Sequence, residues 1–256
     1  MILLRSLAFN AWFHGVTFAF SLWHTLFTRD RGAVVRAAQR WAALALGGLR
    51  LLCGIDWVVT GREHLPAGAA LVAPMHQSAF DTMIWMLLLP DCVYVLKSEL
   101  TRIPLFGTLL LRGGMISVDR TGGASAMRDL IRRAAAAAAA GRQILIFPEG
   151  TRLAPGAGGK LQPGVAAIAA RTGLPIIPVV TDSGHHWGRR AFRKRPGTIR
   201  IVILPPLKSG LPRDELMARL ELAYAQGYAA LQRGQAVDNS VGSAPQNLST
   251  QSSGLY

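Results

Sequence analysis

The chain has 256 residues, half of them hydrophobic and 16% charged, and its 28 Lys and Arg against 14 Asp and Glu give a formal charge of +14. So much apolar side-chain content excludes a disordered chain, and the length suits one large domain or a domain joined to a membrane-seeking segment. A basic, oily chain expects an anionic partner: nucleic acid, an acidic protein, a phosphorylated substrate or anionic lipid.

No charged residue occurs from Ser6 to Phe27, and the run includes Leu7, Phe9, Trp12, Phe13, Phe18, Phe20, Trp23 and Phe27. Its length matches the ~20 residues of a spanning helix, although Asn10, His14, Thr17, Ser21 and His24 dilute it. It is too long for a signal-peptide core and no Ala-x-Ala site closes it. Arg29, Arg31, Arg36 and Arg40 follow, a positive cluster that favours the cytoplasmic side for what comes next. A second apolar stretch, Trp41 to Ile55, is interrupted by Gly47, Gly48 and Arg50. Residues 1–55 are therefore expected to form a membrane-associated helical hairpin, or a single span plus an interfacial helix.

Beyond Asp56 the pattern alternates. Short runs at Trp57–Thr60, Ala69–Ala73, Cys92–Leu96, Met115–Val118, Gln143–Phe147, Ile176–Val180 and Thr198–Leu204 are bounded by Gly, Pro and Asp, as strands are. Helical stretches are predicted over Ala79–Leu88, Ala124–Ala140, Pro163–Arg171 and Pro212–Gln232. Residues 56–233 are thus expected to fold as an α/β domain with a mixed, largely parallel sheet flanked by helices. The stretch 234–256 is rich in Ser, Gln, Asn and Gly and reads as a disordered polar tail. Cys53 and Cys92 sit in apolar surroundings without a Cys-x-x-Cys pair, which marks them as buried small hydrophobes.

Three strand ends gather reactive side chains, the place where α/β sheets assemble sites. The first reads Pro74-Met75-His76-Gln77-Ser78-Ala79-Phe80-Asp81, in which His76 suits a general base and Asp81, five residues on, can fix its tautomer. The second is Phe147-Pro148-Glu149-Gly150-Thr151-Arg152, a carboxylate, a glycine, a hydroxyl and a guanidinium in sequence. The third, Ser117-Val118-Asp119-Arg120, offers another guanidinium, and Arg side chains bind phosphate bidentately. Each cluster alone has a bland reading, a helix-start histidine or a solvated surface charge.

Taken in order, with Leu174-Pro175-Ile176-Ile177-Pro178-Val179 as a fourth block, these motifs resemble the 1-acyl-sn-glycerol-3-phosphate acyltransferase family. The resemblance runs from about Val58 to Pro206 and is most specific at Phe147–Arg152. It implies an enzyme of phospholipid biosynthesis that moves an acyl chain from a thioester, acyl-CoA or acyl carrier protein, to the 2-hydroxyl of lysophosphatidic acid. His76 would be the base and Asp81 its orienting partner, while Arg120, Glu149, Gly150, Thr151 and Arg152 would hold the glycerol phosphate. No metal or other cofactor is implied beyond the thioester co-substrate, and His185-His186 is not read as a metal pair because adjacent side chains diverge.

The implied partners are membrane lipids, the lysophosphatidic acid acceptor and the thioester donor, with no nucleic acid, and the implied location is a membrane with the catalytic domain on its cytoplasmic face. The run Trp187–Arg195 interleaves aromatics with five bases and would suit lipid headgroups, an acidic carrier protein or the phosphates of coenzyme A. Competing readings are an acyltransferase for a lyso-ornithine lipid or lysophospholipid, a hydrolase using Ser78, and a nonenzymatic basic protein binding lipid or nucleic acid. Ser78 lacks the Gly-x-Ser-x-Gly elbow of such hydrolases.

Overall fold

A computed structural model describes residues 1–119 and 121–234; Arg120 and the expected polar tail beyond Gly234 lie outside the described residues. Two long helices come first, α1 (Ile2–Phe27) and α2 (Arg31–Cys53). They are followed by β1 (Ile55–Thr60), β2 (Leu71–Pro74), α3 (Phe80–Leu88), β3 (Cys92–Lys97), α4 (Phe106–Arg112) and β4 (Ile116–Val118). The chain continues through α5 (Gly123–Ala139), β5 (Gln143–Leu145), α6 (Gly164–Thr172), β6 (Ile176–Thr181), α7 (Ser183–His186), β7 (Gly197–Ile203) and α8 (Arg213–Arg233). All seven predicted strands and all four predicted helices of the second region form. The short helices α4 and α7 were not anticipated, because 7 and 4 residues are too few to display a 3.6-residue period.

The first two helices make an antiparallel hairpin. Asp30 starts α2 by accepting the Ala33 N–H at 2.7 Å, and Gly54 ends it in the left-handed conformation. Across the pair, Arg5 Nε donates to Leu52 O at 2.8 Å, Trp12 Nε1 to Leu44 O at 3.2 Å, and Trp41 Nε1 to Thr17 Oγ1 at 3.0 Å. Residues 1–55 thus hold two helices packed against each other. Among the described residues no helix is long and apolar enough to cross a membrane.

The seven strands form one sheet in the order β1-β7-β6-β2-β5-β3-β4. From β6 to β4 all neighbours are parallel, as right-handed crossovers through helices require; β7 turns back antiparallel to β6, and β1 pairs parallel with β7. The middle strand β2 is buried on both faces, and its side chains alternate between two cores. Leu71 and Ala73 pack with Leu130, Ala134, Val165, Ile168, Leu220 and Tyr224 from α5, α6 and α8. Ala70 and Val72 pack on the opposite face with Phe9, Leu46, Leu49, Phe80 and Trp85 from α1, α2 and α3. The period of two along the strand therefore places helices on both faces. It also makes the N-terminal hairpin part of the second core, since Phe9, Leu46 and Leu49 are fully buried there.

Parallel packing has one consequence for chemistry. Strands β6, β2 and β5 are adjacent and run the same way, so their C-terminal ends open on one edge of the sheet. Three successive loops meet there.

Candidate active site

The loop after β2 is short and tightly bonded. Asp81, in the first turn of α3, is buried, and its Oδ2 accepts the backbone N–H groups of Gln77 and Ser78, each at 2.7 Å. The same oxygen lies 3.2 Å from Nδ1 of His76. A carboxylate that already accepts two backbone donors cannot easily move, so it holds the imidazole in place. With Nδ1–H donated to Asp81, Nε2 is left as the acceptor of the ring. The other face of the ring is fixed as well, because it stacks on Phe147 with centroids 4.0 Å apart.

The loop after β5 clasps this one. Glu149 accepts the His76 backbone N–H at 2.7 Å, and Leu153 N–H donates to His76 O at 2.8 Å. Gly150 has φ 68, a left-handed conformation open to glycine, and its N–H closes a turn on Phe147 O at 2.9 Å. Thr151 and Arg152 follow half-buried beside it. Behind the site, the buried Tyr224 of α8 donates its hydroxyl to Ala73 O at 2.7 Å, bracing the end of β2. The serine that a hydrolase would need is not offered as a nucleophile: Ser78 is fully buried and its Oγ accepts the Phe80 N–H at 3.1 Å.

Charge in the site is unevenly distributed. Burial pushes the Glu149 carboxyl up to about 8; the His76 N–H opposes that shift, and the nearby Asp81 charge adds to it. Glu149 is thus mostly a neutral acid at pH 7. Burial also holds the Arg152 guanidinium below its ordinary value, with the Asp81 charge opposing and the positive charge of Arg189 reinforcing the effect. Arg152 accordingly lies within the field of the His76–Asp81 pair and is in no ion pair among the described residues.

The Glu149 shift has a consequence for stability. The folded state holds this proton more tightly than the unfolded chain, whose carboxyl titrates near 4.5. The contribution is complete below about 4.5, is lost as pH rises toward about 8, and amounts to at most about 4–5 kcal/mol. Glu149→Gln keeps an acceptor for the His76 N–H but cannot titrate. Urea midpoints measured at pH 5, 6.5 and 8 are expected to fall less in that variant than in the wild type. Parallel falls would show that Glu149 is ionised in the folded protein.

Of the residues predicted from sequence, the structure brings His76, Asp81, Glu149, Gly150, Thr151 and Arg152 to one edge of the sheet. Arg120 lies outside the described residues. Glu149 was expected among the acceptor-binding residues, meeting a hydroxyl or an arginine as well as the phosphate; within the protein it accepts the His76 backbone N–H. Tyr224 and the stacking role of Phe147 were not anticipated: Tyr224 lies in no motif, and Phe147, although it heads the block Phe147–Arg152, gives no local sign that its ring meets that of His76. His185 and His186 separate as expected, His185 Nε2 lying 3.3 Å from Tyr228 OH and His186 Nδ1 3.1 Å from Arg195 O. Among the described residues no three His, Cys, Asp or Glu side chains are grouped to hold a metal ion.

The model of the acyltransferase family matches residues 56–182. Over 169 residues the chain is 34% identical to the 1-acyl-sn-glycerol-3-phosphate acyltransferase of Pseudomonas aeruginosa, covering 66% of each. It is 31% identical over 167 residues to the protein of that name from Limnanthes alba, covering 64% of this chain and 59% of the relative. The chain thus spans just under two thirds of the length of the first relative and about three fifths of the second. The crystal structure of the 1-acyl-sn-glycerophosphate (LPA) acyltransferase PlsC from Thermotoga maritima superposes with a TM-score of 0.73, covering 91% of this chain and 98% of that one. At 23% identity that likeness speaks to the fold.

Proposed function

This chain belongs to the acyltransferase family, and from that premise we propose that it transfers a fatty acyl chain from a thioester to the 2-hydroxyl of a 1-acyl-glycerol 3-phosphate, forming phosphatidic acid. The observation that carries the reading is the buried His76–Asp81 pair at 3.2 Å, beside the Arg152 guanidinium, which has no carboxylate partner among the described residues. His76 Nε2 takes the proton from the acceptor hydroxyl as its oxygen attacks the thioester carbonyl. Asp81 stabilises the imidazolium that results, and the proton then passes to the departing thiolate. Holding both substrates at one strand edge supplies an effective concentration of ~10⁵ M or more.

Arg152 binds the acceptor phosphate, helped by Thr151 and the Gly150 turn, while the neutral acid of Glu149 donates to it without repelling it. The motif Val118-Asp119-Arg120 assigns Arg120 to the same phosphate by its resemblance to the family. The donor is acyl-CoA or acyl carrier protein, and the reaction needs no metal.

The protein works at a membrane surface with its catalytic domain on the cytoplasmic side. Supporting this, α1 exposes Leu3, Leu4, Leu7, Phe18, Trp23, Leu26 and Phe27, a density of apolar side chains that a water-facing helix does not keep. Arg29, Arg36 and Arg40, which follow soon after α1 in the chain, are exposed and available to anionic headgroups.

The test is a panel of lysolipid acceptors, with and without a phosphomonoester, offered to the purified chain with each donor. Lysophosphatidic acid is expected to have the highest kcat/KM, at least about tenfold above a lysophosphatidylcholine, because a charge-assisted bidentate contact is lost without the free phosphate. A lyso-ornithine lipid or lysophospholipid acylated faster would overturn the acceptor assignment.

A further inference from the structure

Each of the adjacent strands β6, β2 and β5 is followed by a loop at the site edge, and two of these loops carry His76 and Arg152. The third begins just past residue 182, where the match to the acyltransferase family ends, and includes the basic run 187–195. Its start is pressed against the other two loops. In α7, the Gly184 N–H donates to Oε1 of Gln77, the neighbour of His76, at 3.1 Å. A Cβ at Gly184 would stand 2.9 Å from Pro155 and 3.0 Å from Gln77, so a larger residue could not approach as closely.

Next comes a turn in which Ala191 N–H donates to Gly188 O at 3.1 Å. Within it Arg190 has φ 56, a conformation that costs a non-glycine residue of the order of 1 kcal/mol or more. The strain persists because the surroundings fix the loop at both ends. Trp187 is buried edge-on against Phe9, with centroids 5.3 Å apart, and against Phe13 at 6.1 Å. Lys194 is buried too, its Nζ donating to Asn10 Oδ1 at 2.5 Å and to Phe192 O at 2.9 Å. That ammonium also lies 5.0 Å from the centre of the Trp187 ring and 5.5 Å from that of Phe9, while the Lys194 backbone N–H donates to Ser6 Oγ at 2.9 Å. The N-terminal hairpin therefore sets where the basic loop stands.

The turn brings Arg189 within the electrostatic reach of Arg152. Neither guanidinium is in an ion pair among the described residues, although other arginines of the chain, such as Arg31, Arg142 and Arg200, each have an aspartate. Two guanidinia without ion pairs among the described residues, each within the field of the other, repel unless an anion comes between them. A phosphate monoester, with up to two charges and three acceptor oxygens, fits that demand.

We propose that Arg189 is a second ligand for the acceptor phosphate, meeting it from the loop after β6 while Arg152 meets it from the loop after β5. This rests on the reading that the acceptor is a lysophosphatidic acid. The N-terminal hairpin then acts on specificity as well as on location, because it anchors the loop that carries Arg189.

Steady-state kinetics on the purified full chain in mixed micelles test it, with lysophosphatidic acid and acyl-CoA varied separately. Arg189→Gln is expected to raise the lysophosphatidic acid KM about tenfold, with kcat and the acyl-CoA KM within about twofold of wild type. Arg189→Lys should recover part of the loss, and Arg171→Gln, at the far end of α6, should match the wild type. An unchanged acceptor KM in Arg189→Gln would overturn the proposal, and so would a rise confined to the acyl-CoA KM, which would assign the residue to the donor's phosphates. A wild-type chain that fails to acylate lysophosphatidic acid would instead overturn the proposed function, before Arg189 comes into question.

Discussion

Replacing His76 with alanine is expected to lower kcat for acyl transfer by about a thousandfold, with both KM values within a few fold of wild type. General bases contribute roughly 10²–10⁴-fold, and His76 is the one imidazole held by a buried carboxylate among the described residues. The side chain makes no other hydrogen bond among the described residues, so its removal leaves the Asp81 bonds to Gln77 and Ser78 and the Glu149 bond to the backbone intact. The lost stacking on Phe147 lowers stability only modestly, by about 0.5–1.5 kcal/mol. A folded His76→Ala protein that keeps more than a tenth of its turnover would show that the proton leaves the hydroxyl by another route.

Asp81→Asn is expected to be nearly as damaging, for a different reason. One oxygen of Asp81 serves His76 Nδ1 and two backbone N–H groups, and its negative charge strengthens all three bonds. The asparagine amide either presents its NH₂ to those donors or keeps the bonds without the charge. In the first case the ring loses the tautomer that leaves Nε2 free, and in the second the imidazolium loses its counter-charge. Turnover should fall by roughly 10²–10⁴-fold. Stability should fall by about 1–3 kcal/mol, because buried donors are left poorly matched. In the His76→Ala background the same change should cost little further turnover, since Asp81 acts through the ring. Full additivity in that double variant would assign Asp81 a separate part in the reaction.

The strands were legible because Val- and Ile-rich runs such as Gln143–Phe147 and Ile176–Val180 lie between Gly, Pro and Asp punctuation. The His76–Asp81 pair was legible because its members are only five residues apart, where the loop after β2 enters α3. What could not be read was order and distance across the chain. Nothing local announces that β7 reverses against β6, or that β2 lies between β5 and β6. The bond from Glu149 to His76 joins positions 73 apart, and the tie from Lys194 to Asn10 joins positions 184 apart. Pairing of that kind emerges only when the sheet brings strand ends together. The N-terminal hairpin illustrates the same limit: its apolar run was plain, yet Phe9, Leu46 and Leu49 serve the domain core while Leu4, Phe18 and Phe27 stay exposed. Composition alone does not divide one apolar helix between two such uses.

The anionic partners open to a basic, oily chain narrow accordingly. Among the described residues Arg152 stands beside His76 and Asp81 without an ion pair, and Arg29, Arg36 and Arg40 are exposed soon after the apolar α1, an arrangement suited to phosphate chemistry at a lipid surface. The most direct test of that account is the molar ratio of phosphatidic acid formed to thiol released when the purified chain is given lysophosphatidic acid and acyl-CoA. A ratio of one to one, abolished by His76→Ala, is the expected result. Thiol release without a matching lipid product would contradict it, because the thioester would then be passing its acyl group to water.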